Sequence, residues 1–170
     1  MTVLDITERA SVNRGTFYTH FEDKSAALEY WLREQFRQRV ASTVLISGTW
    51  NLSTFRLLIQ SVAEWFTELH ELTKSADRSL IPLVVITLQE ALFELLLQEF
   101  KPVAASGTDQ QVALESVAMT MSWAIFGTGF QCFHQWDEQA MIMPPEELAS
   151  QMTSILIGGL AQALPAFQLD

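Results

Sequence analysis

Apolar residues recur at intervals of three and four along most of the chain, and no segment alternates apolar and polar residues over a sustained run. The first spacing places apolar side chains on one face of an α-helix, whereas alternation would indicate a half-buried strand. The pattern therefore predicts an all-α protein. Proline is favoured at helix ends because it interrupts the hydrogen bonding of a helix interior. The five prolines fit such ends, namely Pro82, Pro102, Pro144, Pro145 and Pro165.

Polar and turn-forming segments divide the chain into two short helices followed by five long ones. The predicted helices cover about 2–10, 13–19, 24–45, 52–73, 82–101, 109–136 and 145–164. Thr2 and Asp23 are suitable N-caps for the first and third helices, and Asp5 stands three residues after Thr2. Phe17 and Phe21 are four residues apart, which predicts that both point inward. The inward stripe predicted for the third helix consists of Leu28, Trp31, Leu32, Gln35, Phe36 and Val40.

Composition indicates a folded globular protein of one ordinary domain or two small ones, with 170 residues, 49% hydrophobic and 18% charged. The single cysteine, Cys132, excludes an internal disulfide and a multi-cysteine metal cluster and fits a reducing compartment. The three histidines lack metal-ligand spacing, and the N-terminus lacks the apolar run of a secretory signal. We therefore expect a cytoplasmic protein without a metal or cofactor.

Two stretches without charged residues, 116–136 and 148–169, are long enough to span a bilayer. Both contain several Ser, Thr and Gln residues, and neither has the Lys or Arg flanks that set orientation in a membrane. A buried helix pair is therefore favoured over a membrane hairpin, because a helix that is apolar on every side in a soluble protein is covered on every side.

The net charge of −10 is unevenly distributed along the chain. Residues 1–40 contain six basic and six acidic side chains, whereas residues 41–170 contain four basic and fourteen acidic ones. A strongly acidic body does not attract a polyanion such as DNA. Any contact with nucleic acid is therefore expected from the neutral N-terminal segment.

Residues 2–24 have the build of a helix-turn-helix, in which two short helices are joined by a tight turn. The second helix is short enough to place its first turn in a major groove, where Asn13 and Arg14 would reach base edges or phosphates. Gly15 leaves room for a close approach of the backbone. Further donors for phosphate oxygens are Thr16, Tyr18, His20 and Lys24. A helical hairpin with merely solvated polar side chains would show the same spacing.

The run D-I-T-E-R-A-S-V-N-R-G-T-F-Y-T-H-F-E-D-K resembles the DNA-binding signature of TetR-type transcriptional regulators. The strongest elements of the match are Ala10, Val12, Thr16, Phe17, Tyr18, His20, Phe21 and Lys24. The resemblance implies a helix-turn-helix head with a linking helix (1–45) and a helical ligand-binding and dimerisation body (46–170). It implies phosphate contacts from Thr2, Thr16, Tyr18, His20 and Lys24, and base contacts from Asn13, Arg14 and Thr19.

The chain departs from the family pattern in two places. Ser11 stands at the turn where the family usually has Gly. The chain also starts at the second helix of the pattern, and apolar residues of the head would lose part of their cover. We expect either that the true N-terminus lies upstream or that the product binds DNA defectively, and the intact reading segment favours the first. The alternative function is a DNA-incompetent helical dimer that binds a small molecule or titrates a full-length partner.

The last two helices are apolar on nearly every side and contain small residues that permit close helix approach. One chain of this size can hardly cover them, so a two-fold four-helix interface is favoured over an internal hairpin. In TetR-type proteins the corresponding pair forms the dimer interface. The residues expected there are Gly127, Phe130, Gln131, His134, Met152, Ile155, Leu156, Gly159, Leu160 and Ala163.

Aromatic and flexible side chains are concentrated on adjacent body helices, a pattern that more often indicates plain core than a ligand site. The TetR resemblance implies a small-molecule cavity here, mostly apolar with few polar anchors. The residues expected to line it are Trp65, Phe66, Leu69, His70, Gln89, Phe93, Met119, Trp123 and Phe126. Cys132 has no Lys or Arg close to it in the sequence, and this favours a buried inert thiol over a redox sensor.

Catalysis is not expected, because the sequence lacks a nucleophile elbow, phosphate loop, zinc motif or nucleotide fingerprint. The acidic pairs at 137–138 and 146–147 are consecutive and do not share a helix face. The leading hypothesis is a ligand-responsive repressor that binds double-stranded DNA as a homodimer and answers to an unidentified small molecule.

Overall fold

The computed structural model describes residues 2–44, 51–73, 78–101, 108–135 and 143–163. Within these ranges the chain forms helices and no strands, which confirms the all-α prediction. Each helix begins and ends within one residue of its predicted bounds. The helices are α1 (Val3–Arg9), α2 (Arg14–His20), α3 (Lys24–Val44), α4 (Leu52–Thr73), α5 (Ile81–Phe100), α6 (Thr108–Gln135) and α7 (Pro145–Ala163), with a 3₁₀ turn (Arg78–Leu80) before α5.

Side-chain caps explain where the first and third helices begin. The Thr2 hydroxyl accepts a hydrogen bond from the Asp5 backbone N–H at 3.2 Å, and the Asp5 carboxylate accepts one from the Thr2 N–H at 2.6 Å. That backbone hydrogen bond, helped by the Thr2 side chain, lowers the pKa of Asp5. The Asp23 carboxylate accepts from the N–H groups of Ser25 and Ala26. Both predicted caps are present, and each satisfies donors that lack a partner within the helix.

The five long helices pack around one apolar core. α3, α4, α6 and α5 form a closed ring in which each helix contacts the next, while α7 packs mainly on α4 and touches α6. Burial of a large apolar side chain contributes about 1.5–3 kcal/mol, so this ring is the main source of stability. Its most enclosed large side chains are Leu32, Phe55, Leu58, Leu88, Leu92, Leu96, Phe100 and Ile125.

By length and composition, α5 is the one described helix that could cross a membrane. It is neither of the two charge-poor stretches noted in the sequence. Its inward stripe is part of the core, and Glu90 and Glu94 on its surface bind Arg33 of α3. α5 therefore has one face in the core and leaves other residues, such as Ile86 at 56% exposure, at the surface.

Two arginines join α3 to the helices beside it. Arg33 lies 2.6 Å from Glu90 on α5, and Arg39 lies 2.6 Å from Glu68 on α4. Both guanidinium groups are partly exposed, so each pair contributes only about 0.2–1 kcal/mol. The pairs lie on two different neighbours of α3, whose orientation is set mainly by its buried residues Leu32, Phe36 and Val40.

The prediction for one residue of the α3 stripe, Trp31, is wrong. Leu32, Phe36 and Val40 are buried, but Trp31 is 43% exposed. Successive helical residues point about 100° apart, so Trp31 lies at the margin of the face that Leu32 centres. α4 and α5 cover that face and leave Trp31 at its edge.

Candidate functional site

The N-terminal segment forms two contacting helices of seven residues each, separated by residues 10–13. α2 begins one residue later than predicted because Asn13 is its N-cap. The Asn13 side-chain carbonyl accepts a hydrogen bond from the Gly15 N–H at 2.7 Å. That oxygen is thus engaged within the chain, and the side-chain NH₂ remains for a ligand. A Cβ at position 15 would lie 3.3 Å from the same oxygen, so glycine suits this cap.

The turn between α1 and α2 contains Ser11 in the left-handed conformation, with φ 54°. The Ser11 N–H donates to the Glu8 carbonyl at 3.2 Å, and the Val12 N–H donates to the Thr7 carbonyl at 3.0 Å. This pair of bonds closes α1 in a Schellman motif, whose left-handed position is usually glycine. The departure from the TetR pattern at Ser11 therefore falls where a Cβ strains the backbone.

Ser11→Gly is expected to stabilise the chain by about 1 kcal/mol, because glycine removes the left-handed strain and returns part of the gain as backbone entropy. Ser11→Ala keeps the Cβ and is the matched control, with no gain expected. Urea unfolding followed by circular dichroism measures both. Equal stability of the glycine and alanine variants would show that the turn is unstrained.

Aromatic side chains attach α2 to α3. Phe17 is buried, and its ring centroid lies 5.5 Å from that of Phe21. The ring centroid of Phe21, the C-cap of α2, lies 5.7 Å from that of Tyr30 on α3. Phe17 is thus inward as its spacing predicts, whereas Phe21 is half-buried and lies at the extended C-cap just after α2.

All the candidate DNA contacts lie at the surface: Thr2, Asn13, Arg14, Gly15, Thr16, Tyr18, Thr19, His20 and Lys24. Within the described chain no carboxylate is at ion-pair distance from Arg14 or Lys24, whereas Arg33, Arg37 and Arg39 of α3 all bind glutamates. The Thr19 hydroxyl donates to the Gly15 carbonyl at 2.9 Å and is the least available of the set. Residues 13–24 therefore present two cations without an ion-pair partner in the described chain, together with uncharged donors and the exposed carboxylates of Glu22 and Asp23.

Six of the nine residues expected to line a ligand cavity, Trp65, Phe66, Leu69, Gln89, Phe93 and Phe126, lie in or against the core. The Phe66 ring lies 5.2 Å from that of Phe126 and 6.4 Å from that of Trp65. The Gln89 amide is buried and donates to the Ser122 hydroxyl at 3.1 Å. Leu69 is buried in the same core, and Phe93 packs against it half-buried. These contacts are those of a filled core.

Met119 and Trp123 point outward and are 40% and 49% exposed. They are one helical turn apart on α6, so they share a face. The structure therefore places both at the surface of α6, and their contact with a ligand stays a prediction. The side chain of His70 lies outside the described residues.

The expected dimer residues divide into two groups. Phe130, Met152 and Leu156 pack against the core of their own chain. Gly127 and Gly159 would meet nothing within 4 Å if given a Cβ, and Ile155 is 69% exposed. The outward group is the part of the set that a second chain could cover. The other four expected dimer residues, Gln131, His134, Leu160 and Ala163, have side chains outside the described residues, as does Cys132, for which a buried thiol is expected.

A groove of about 540 Å³ lies between α3 and α4. The sequence reasoning missed it, because a groove depends on how far apart two helices pack and leaves no periodic signal. Trp65 is the member of the expected cavity set that reaches it. The lining residues are Trp31, Gln35, Gln38, Arg39 and Ser42 of α3 with Ser61, Glu64, Trp65 and Glu68 of α4.

Comparison with known proteins identifies no relative. No family model, no curated protein and no solved structure matches the chain.

Proposed function

We propose that this protein is a DNA-binding transcriptional regulator, a ligand-responsive repressor that acts as a homodimer. The observation that carries the proposal is the exposed helix α2, whose Arg14, together with Lys24 at the start of α3, has no ion-pair partner in the described chain. The likeness of residues 5–24 to the TetR signature supports the same assignment.

The side chains of α2 and of the first residue of α3 suit two kinds of DNA contact. Arg14 lies in the first turn, where a guanidinium can form two hydrogen bonds with a guanine edge in the major groove. Tyr18 and Lys24 have donors for phosphate oxygens, which position the protein without reading sequence. The body, which accounts for the net charge of −10, is repelled by DNA and favours an approach by the head alone.

A homodimer would place two such heads on one duplex. Ile155, Gly127 and Gly159 are outward-facing positions of α6 and α7 where a second chain could approach closely. Two heads separated by about 34–36 Å would reach successive major grooves. α3 has 21 residues and is braced by Arg33 and Arg39, so a ligand that shifts the body would shift the heads.

Duplex binding tests the proposal. Operators are selected from genomic fragments, and affinities are then measured by fluorescence anisotropy over a salt series. Lys24→Ala and Tyr18→Phe are expected to weaken binding evenly across sequences, and Lys24→Ala should lower the salt slope by about 1. Arg14→Ala should reduce discrimination at one base position by about 1–3 kcal/mol.

Two matched variants control this measurement. Lys101→Ala removes an exposed lysine of the body, and Tyr30→Phe removes the hydroxyl of an exposed tyrosine on α3. Neither is expected to change DNA affinity. The proposed mechanism is wrong if Lys24→Ala and Tyr18→Phe bind as tightly as the unaltered chain.

A specific observation favours the alternative of a DNA-incompetent dimer that titrates a full-length partner. Leu4 and Val12 in the head are 45% and 44% exposed, an apolar surface that a protein partner could cover. A chain that dimerises but binds no selected or random duplex at low salt would support this alternative.

A further inference from the structure

The groove between α3 and α4 combines two indole rings with a surplus of negative charge. Trp31 is 43% exposed and Trp65 is 7% exposed, and both line the groove. The lining also contains two carboxylates, Glu64 and Glu68, against one guanidinium, Arg39. The groove therefore has a formal charge of −1 beside two aromatic rings.

The Arg39 guanidinium lies closer to the Glu68 carboxylate than to the Glu64 carboxylate. Its guanidinium donates two hydrogen bonds to Glu68, at 2.6 and 2.9 Å, but lies 3.7 Å from the Glu64 carboxylate. The Glu64 carboxylate also accepts from the uncharged Gln60 amide at 2.9 Å. The Glu64 side chain is 42% exposed, so solvent reaches it. Glu64 is thus the acceptor whose charge is least compensated.

We infer that this groove binds an organic cation with a flat aromatic body, such as an aryl-substituted ammonium ion. The cationic head lies at Glu64, and the body lies along the exposed Trp31 indole, whose ring face attracts cations. Trp65, which is 7% exposed and packs on Phe36, contributes only the small part of its surface that lines the groove. The groove has a volume of about 540 Å³ and is open to solvent, so it can admit a ligand of that size without enclosing it. The acidic body further raises the local concentration of cations. The inference names the chemical class of the ligand, and it holds whether or not the protein binds DNA.

Arg39 is a competitor in this arrangement, because its guanidinium and the ligand head seek the same carboxylates. Its removal therefore strengthens the binding of a cation. A groove that holds an anion would show the opposite response, since Arg39 would then be the anchor. The sign of the Arg39→Gln effect distinguishes the two.

The experiment titrates the 170-residue chain with benzyltrimethylammonium chloride and follows the indole N–H signals of its five tryptophans by NMR. Trp31→Phe and Trp65→Phe assign the two signals expected to shift saturably, and calorimetry gives the Kd. Glu64→Gln should weaken binding about fivefold, and Arg39→Gln should tighten it about fivefold. Trp31→Leu should weaken it about two- to fivefold.

The α5 side of α3 offers matched controls. Glu94→Gln and Arg33→Gln alter a similar ion pair outside the groove and should leave the Kd unchanged. Benzenesulfonate has the same ring with the opposite charge and should not bind. The inference is overturned by the absence of a saturable shift, by tighter binding of benzenesulfonate, or by weaker binding in Arg39→Gln. Equal losses in Glu94→Gln and Glu64→Gln would also overturn it, because they would indicate attraction to the acidic surface as a whole.

Discussion

Gly129→Ala is expected to lower the free energy of unfolding by about 1–2 kcal/mol, although alanine is the better helix former. A Cβ at position 129 of α6 would lie 2.7 Å from Cδ2 of Phe66 on α4, well inside van der Waals contact. Phe66 has little room to retreat, because it is 2% exposed and its ring packs against those of Phe126 and Phe130. Glycine at 129 therefore sets the distance between the two helices.

Gly158→Ala is the control, because Gly158 lies within a helix, α7, is not among the expected dimer residues, and its Cβ would meet nothing within 4 Å. It is expected to raise stability by up to about 1 kcal/mol through helix propensity alone. Urea unfolding at one fixed chain concentration measures both variants. Phe66→Leu should recover part of the loss in the Gly129→Ala background, since the two sites are coupled. Effects of the same sign for the two alanine variants would contradict the packing argument.

Ile155→Glu is expected to weaken self-association at least tenfold, about 1.4 kcal/mol, and to yield monomers where the unaltered chain forms dimers. Ile155 is 69% exposed in the single chain, so the substitution costs the monomer little. In a two-fold interface the same change would bury two carboxylates without partners, which is strongly unfavourable. Sedimentation velocity over a range of concentrations measures the effect.

Ile86→Glu is the control for this result. Ile86 is 56% exposed on α5, which lies outside the proposed interface, and its replacement should leave the dimer intact. Circular dichroism should show unchanged helicity in both variants. A monomeric unaltered chain, or a dimer that survives Ile155→Glu, would remove α7 from the proposed interface.

The helix bounds could be predicted to within one residue because the signals that set them are local. The caps at Thr2 and Asp23 need only backbone N–H groups two or three residues away, and Pro82 needs only its own place in the first turn. Phe17 and Phe21 also met as their spacing predicts. Each of these features depends on a few consecutive residues.

The candidate site was predicted less completely. The candidate DNA contacts between positions 13 and 24 are exposed, and their role stays a prediction. The sequence shows six basic residues before position 40 without distinguishing them. The structure pairs Arg33 and Arg39 with glutamates of other helices and leaves Arg14 and Lys24 without such partners in the described ranges. Partners distant in sequence decide that difference, as they decide the outward position of Trp31.

By itself, then, the order of residues determined the helical class, the helix ends, the short pair of helices at the front and the acidic body. The tertiary structure alone decided which aromatic side chains fill the core, which cations are neutralised, and that α3 and α4 leave a groove beside Glu64. The physical reason is range. Caps and helical hydrogen bonds act within about four residues, whereas burial and ion pairing depend on where whole helices come to lie.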